Sequence, residues 1–195
     1  MPTIRSFIAL NLTADIQRQL DDIIQSLKQQ TTIVRWVPSQ NIHLTLKFLG
    51  DVSLANIETL QRVLAGEAAR HAPFTFTVGG FGAFPNTRWP RVLWVGVQAP
   101  PALTAAQRGI EAETQRLGYT NEERPFSPHL TLGRVSNNAS PQEARRLSEA
   151  LAQVKIGELG QVMVKSVYLY RSDLNPGGTV YTPLASFPLG NSHNP

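Results

Sequence analysis

The chain has 195 residues, no cysteine, four histidines and a formal net charge of +4 at pH 7. At roughly 100–200 residues per domain, that is one domain or two small halves sharing a core, long enough to fold without a disulfide or metal staple. The missing cysteines exclude thiolate nucleophiles, zinc–thiolate sites, iron–sulfur clusters and disulfide scaffolds, and they restrict imidazole chemistry to His43, His71, His129 and His193.

The charge is mild and no run of Lys or Arg resembles a basic tail, so an anionic partner is allowed without being demanded. Apolar stretches fall far short of the roughly 18–20 residues of a membrane span, and the start of the chain lacks a signal-peptide core. The expectation is a cytoplasmic protein that does not enter membranes.

Phe7 to Leu12 reads as a strand, and Thr13 as the N-cap of an amphipathic helix carrying Ile16, Leu20, Ile23, Ile24 and Leu27. Ile33 to Val37 is a short strand stopped by Pro38, and Ile42 to Leu49 a stronger one ending at the turn signal Gly50-Asp51. A second helix starts near Ser53 with Ile57, Leu60, Val63 and Leu64 on one face. Phe74 to Phe84 alternates aromatic and small residues around glycines, as a bent or bulged strand does. Val92 to Val97 is a further strand, and Pro100-Pro101 opens a helix toward the C-capping Leu117-Gly118. Leu130 to Val135 is a strand and Ser140-Pro141 caps a fourth helix through Leu151. Val162 to Tyr170 and Val180 to Leu189 are strands joined by the hairpin signal Asn175-Pro-Gly-Gly178. Short strands with hairpin-like links point to an antiparallel α+β fold over a doubly wound parallel one.

One internal repeat decides the functional reading. His43-Leu-Thr-Leu46 recurs as His129-Leu-Thr-Leu132, after Trp36-Val-Pro38 in one case and Pro125-Phe-Ser-Pro128 in the other. It uses two of the four histidines and predicts a duplicated half, each bringing one His-bearing strand to a shared seam. Strand alternation puts His43, Thr45 and Lys47 on one face and Leu44, Leu46 and Phe48 on the core side, with His129 and Thr131 opposed in the same way to Leu130 and Leu132.

A single strand histidine among leucines is most often a packing or surface residue; two with identical neighbours are better explained by chemistry. Paired imidazoles suit a reaction in which a nucleophile loses a proton while a leaving oxygen gains one, such as opening a cyclic phosphodiester, with the Thr hydroxyls on the non-bridging oxygens. A Ser127 or Thr nucleophile is less attractive, since no Asp or Glu lies beside either motif to orient the base. A two-histidine metal site lacks further ligands at His-x-His or similar spacing. His71 reads as a helix-end cation and His193 as part of a polar tail. Arg88-Trp89-Pro90-Arg91 reads either as a base-stacking or phosphate-contacting loop or as a solvated loop. Trp36 is left open between stacking and core, and Phe126 is assigned to the core.

The strings Trp36-Val-Pro-Ser-Gln-Asn-Ile-His-Leu-Thr-Leu-Lys-Phe-Leu-Gly50 and Arg124-Pro-Phe-Ser-Pro-His-Leu-Thr-Leu-Gly-Arg134 resemble the 2H phosphoesterase superfamily. Together with Arg5-Ser-Phe-Ile-Ala-Leu10 and Pro90-Arg-Val-Leu-Trp-Val-Gly96 they are most similar to its RNA 2′,3′-cyclic phosphodiesterase branch, historically called 2′-5′ RNA ligase. The resemblance covers nearly the whole chain. It implies a single domain over 1–195 made of two duplicated lobes, bilobal and pseudo-symmetric, with antiparallel sheets lining a central cleft and helices outside. It implies metal- and cofactor-independent hydrolysis of a 2′,3′-cyclic phosphate on RNA ends, or on small cyclic nucleotides, to a 2′-phosphomonoester by a monomer. His43 would be the proton donor, His129 the proton acceptor, and Thr45, Thr131 and Arg134 the phosphate-binding groups. Arg134 lies five residues beyond His129, on the opposite face of an ideal strand, so reaching the phosphate requires a bulge or twist, for which Gly133 is suited. ATP-independent 2′-5′ ligation is the implied reverse activity, since no Lys-x-Asp-Gly motif is present. The reading from a different class is a non-catalytic nucleotide- or RNA-binding module on the same scaffold.

Overall fold

The computed structural model describes residues 2–176 and 178–190. Its elements follow local chemistry. After β1 (Thr3–Leu10), the Thr13 hydroxyl accepts the Ile16 N–H and opens α1 (Ala14–Lys28), which turns Ile16, Leu20, Ile24 and Leu27 inward. Next come β2 (Val34–Trp36), β3 (Leu44–Ser53), α2 (Ile57–Ala68), β4 (Phe74–Phe84), β5 (Val92–Gln98) and α3 (Pro101–Arg116). β6 (His129–Val135) precedes α4 (Pro141–Leu151), whose Ser140 and Glu143 form a reciprocal capping box. The chain finishes with β7 (Glu158–Val164), β8 (Ser166–Asn175) and β9 (Gly178–Pro188).

Two antiparallel sheets result, a four-stranded one in the order β3-β1-β8-β9 and a five-stranded one in the order β2-β6-β5-β4-β7. In each, the motif strand pairs with the strand that precedes it across a helix: β3 with β1, β6 with β5. Each sheet also takes in a strand from the other part of the chain, since β8 pairs with β1 and β2 with β6. The sheets therefore do not coincide with sequence halves; the chain weaves between them. One continuous core joins leucines and valines of both sheets to the inner faces of the helices, including Leu44, Leu46, Leu130 and Leu132.

Three local expectations need correction. Gly50-Asp51 does not end its strand: Gly50 takes φ +69 within an irregularity and β3 runs on to Ser53. The second helix begins at Ile57, after a short 3-10 turn over Leu54–Asn56. Val162 to Tyr170 is two strands in different sheets, with Val164 paired to Phe74 and Leu169 to Ile8. The sequence carries that break: Val162 and Val164 are inward, then Val167 and Leu169, and the step of three residues resets the period of two. Among the described residues no helix is long and apolar enough to cross a membrane.

Candidate active site

Both motif strands hold their histidine by the same device. The His43 Nδ1 lies 2.8 Å from the Asn41 carbonyl, and the His129 Nδ1 2.7 Å from the Ser127 carbonyl, each two residues upstream. A carbonyl only accepts, so Nδ1 carries the proton in both rings and Nε2 is the nitrogen left for chemistry. Thr45 and Thr131 follow two residues later on the same face as their histidines.

Just beyond each threonine the strand bulges. On β3, Ile8 pairs with Lys47 and Ala9 with Thr45, so Leu46 is the extra residue; on β6, Leu93 pairs with Gly133 and Trp94 with Thr131, so Leu132 is the extra one. Each bulge reverses the inward–outward alternation. On β6 it brings Arg134 onto the face of His129 and Thr131, as the resemblance requires. Gly133 turns to the core side, where a β-carbon would sit 3.1 Å from the Arg35 carbonyl and 3.1 Å from the Trp36 ring.

On β3 the bulge overturns the expected facing. Lys47 goes into the protein at 1% exposure and Phe48 comes out at 54%. Buried Lys47 donates to Glu111 on α3 and to the Thr120 carbonyl, while Glu111 also accepts the Glu122 N–H. The charge is thus paired and hydrogen-bonded, the condition for burying an ammonium group. This network ties the first motif strand to the segment that leads into the second motif.

Aromatic rings collar both imidazoles. His43 stacks on Phe7 with centroids 4.6 Å apart and meets Tyr181 edge-on at 5.2 Å, with the Tyr170 ring 6.4 Å away. His129 meets Phe84 edge-on at 4.9 Å and lies 6.3 Å from Trp94. The Trp94 indole lies across Gly82, where any β-carbon would overlap the ring. Burial lowers the His43 pKa to about 4, opposed in part by the Asn41 carbonyl. Burial also raises the Tyr181 pKa, with the charges of Arg134 and Arg5 working against it. Arg134 of the second sheet is thereby an electrostatic neighbour of Tyr181, whose ring meets His43.

Of the other residues considered, Trp36 and Phe126 pack partly buried against the core. His71 lies beyond the end of α2 and contacts the buried Glu67 at 2.7 Å, so a specific carboxylate partner accounts for it better than the helix dipole alone. His193 lies outside the described residues. No cluster of three or more metal-ligating side chains occurs among the described residues. The sequence reading missed the collar of Phe7, Tyr170, Tyr181, Phe84 and Trp94. Its one sequence signal is glycine facing tryptophan, Gly82 against Trp94, in paired strands.

Comparison with known proteins points the same way. The family model for LigT-like phosphoesterases matches twice in tandem, over residues 10–94 and 95–181, each with one His-Leu-Thr-Leu string. A Methanothermobacter thermautotrophicus protein named RNA 2′,3′-cyclic phosphodiesterase is 34% identical over 186 residues, covering 95% of this chain and 99% of the relative. A Thermus thermophilus crystal structure superposes with a TM-score of 0.81 at 29% identity, covering 97% of this chain and all of that one. The crystal structure of Escherichia coli LigT with 3′-AMP superposes with a TM-score of 0.74 at 29% identity, covering 96% and 99% of the two chains. With the twofold match spanning most of its length, the chain belongs to the LigT-like phosphoesterases of the 2H superfamily.

Proposed function

We propose that the protein opens the terminal 2′,3′-cyclic phosphate of RNA to a 2′-phosphomonoester, using His43 as proton donor and His129 as proton acceptor. The observation that carries this reading is the matched anchoring of both imidazoles through Nδ1, which leaves two Nε2 atoms for proton transfer. Neutral His129 takes a proton from water at Nε2 as the water oxygen attacks phosphorus in line. The bond from phosphorus to the 3′ oxygen breaks, and that oxygen receives the Nε2 proton of His43. Thr45, Thr131 and Arg134 hold the non-bridging oxygens while charge redistributes among them, a role that asks for no metal. Exchange with solvent returns both imidazoles to their starting forms. The relatives' printed names and the 3′-AMP complex of LigT support this substrate class.

As donor, His43 must enter the reaction protonated, yet burial of its ring holds the pKa at about 4. An anionic phosphate beside the ring favours the imidazolium and raises that value, so substrate itself supplies the charge that makes His43 an acid. With a 5′-hydroxyl in place of water, the same transfers join RNA ends through a 2′-5′ linkage without ATP.

The test is an oligonucleotide ending in a 2′,3′-cyclic phosphate, incubated with chelator and followed by phosphorus NMR. Conversion to the 2′-monophosphate, abolished by His43→Ala and by His129→Ala, is expected. Tight binding without conversion would instead make the protein a nucleotide-binding module, and conversion indifferent to both substitutions would overturn the acid–base assignment.

A further inference from the structure

The chemistry above leaves Arg88, Trp89 and Arg35 without a role. Trp89 is 70% exposed, an unusual position for an indole on a folded surface. Its loop is nonetheless held in shape: the Asn86 side-chain oxygen accepts the N–H groups of Arg88 and Trp89 at 3.0 Å each, and the Arg91 N–H donates to the Phe84 carbonyl at 2.7 Å. The ring is thus displayed at a fixed place, at the tip of the β4–β5 connection.

That tip borders the cleft. Across the five-stranded sheet one row of paired residues runs Arg35, Arg134, Val92, Phe84, and the loop leaves the sheet directly after Phe84, whose ring touches His129. Arg35 stands opposite Arg134 on an adjacent strand about 5 Å away, both exposed. Like charges paired across strands destabilise a sheet. Neither has a carboxylate within ion-pair distance among the described residues, so the pair is left for an anion from outside. An open groove of ≈ 540 Å³ beside Phe48 is lined by Glu122 and Glu123 together with Arg124, and those carboxylates make it a poorer path for a phosphodiester backbone.

We propose that the RNA strand upstream of the cyclic phosphate leaves the cleft over this end of the five-stranded sheet, with one base stacked on Trp89 and backbone phosphates on Arg35 and Arg88. The proposal rests on the RNA phosphodiesterase reading and specifies its strand path. A bare nucleoside 2′,3′-cyclic phosphate has no upstream base or phosphate to place there, so the surface acts only on longer substrates.

The experiment compares a nucleoside 2′,3′-cyclic phosphate with a decanucleotide ending in the same group, for the intact protein and for Trp89→Ala, Arg88→Ala and Arg35→Gln. Trp89→Ala is expected to lower kcat/KM on the decamer roughly ten-fold and to leave the mononucleotide unchanged. Arg88→Ala and Arg35→Gln should each flatten the dependence of log kcat/KM on log salt for the decamer by about 0.7. Equal losses on both substrates, no loss on the decamer, or a decamer-specific loss produced only by Phe48→Ala would each overturn the strand path while turnover of the mononucleotide upholds the active site. Turnover of neither substrate by the intact protein would sink the active-site reading and the path with it.

Discussion

The two motif strands share four residues and one bulge, yet they build different surroundings. On β3 the bulge sends a lysine inward and a phenylalanine outward, and His43 sits among Phe7, Tyr170 and the edge-on Tyr181. On β6 the same device sends a glycine inward and an arginine outward, and His129 stands beside Phe84 and Trp94. The residues that follow each motif, Lys47-Phe48 against Gly133-Arg134, thus give one repeat two unlike settings. A duplicated local structure supplies two equivalent imidazoles; the unlike residues around them give each its own electrostatic setting.

The sharpest way to break this comparison is chemical. Replacing either histidine by Ala should cost about 10²- to 10⁴-fold in turnover. A substrate whose 3′ oxygen is replaced by sulfur, a leaving group that needs no protonation, should restore most of the loss in His43→Ala and little of it in His129→Ala. Rescue of the His129 variant instead would exchange the two roles.

The next effect separates the inward residues. Removing Lys47 strands Glu111 in a partly buried site, so Lys47→Met should lower unfolding free energy by about 3–5 kcal/mol in denaturant titrations. Replacing both partners, Lys47→Met with Glu111→Leu, should recover much of that. If the single variant melts like the parent, the network is not what fastens α3 and the 120–122 segment to the first motif strand.

The smallest effect reads the setting of His43 alone. Its pKa of about 4 in the folded protein lies below the ordinary 6.5, so the unfolded chain binds the proton first. Its contribution to stability is therefore complete above pH 6.5 and lost as pH falls toward 4, by about 3 kcal/mol. His43→Phe should flatten that part of the stability–pH curve. A curve unchanged by the substitution would mean that the ring is not desolvated.

The secondary structure was largely legible because its signals are local: Thr13 and Ser140 as caps, the spacing of Ile16, Leu20 and Ile24, and Gly118 with φ +90 after α3. The two histidines and threonines were legible because the repeat is verbatim. Phe48 and Lys47 were misplaced because alternation was carried through a bulge, a feature that exists only where a partner strand skips a residue. The aromatic collar was invisible for a related reason. Phe7, Tyr170 and Tyr181 lie far apart in the chain, and only the pairing of β1, β8 and β9 stacks them against one histidine.

The sequence by itself determined the groups that the proposed chemistry uses: two imidazoles, two hydroxyls and a guanidinium, with no thiol, in an antiparallel α+β chain. Only the tertiary structure decided which side each residue faces, that Arg134 shares the face of His129, that Lys47 becomes a buried fastener, and that the sheets exchange strands. The physical reason is that side-chain direction along a strand is set by register, and register belongs to pairs of strands rather than to either one alone.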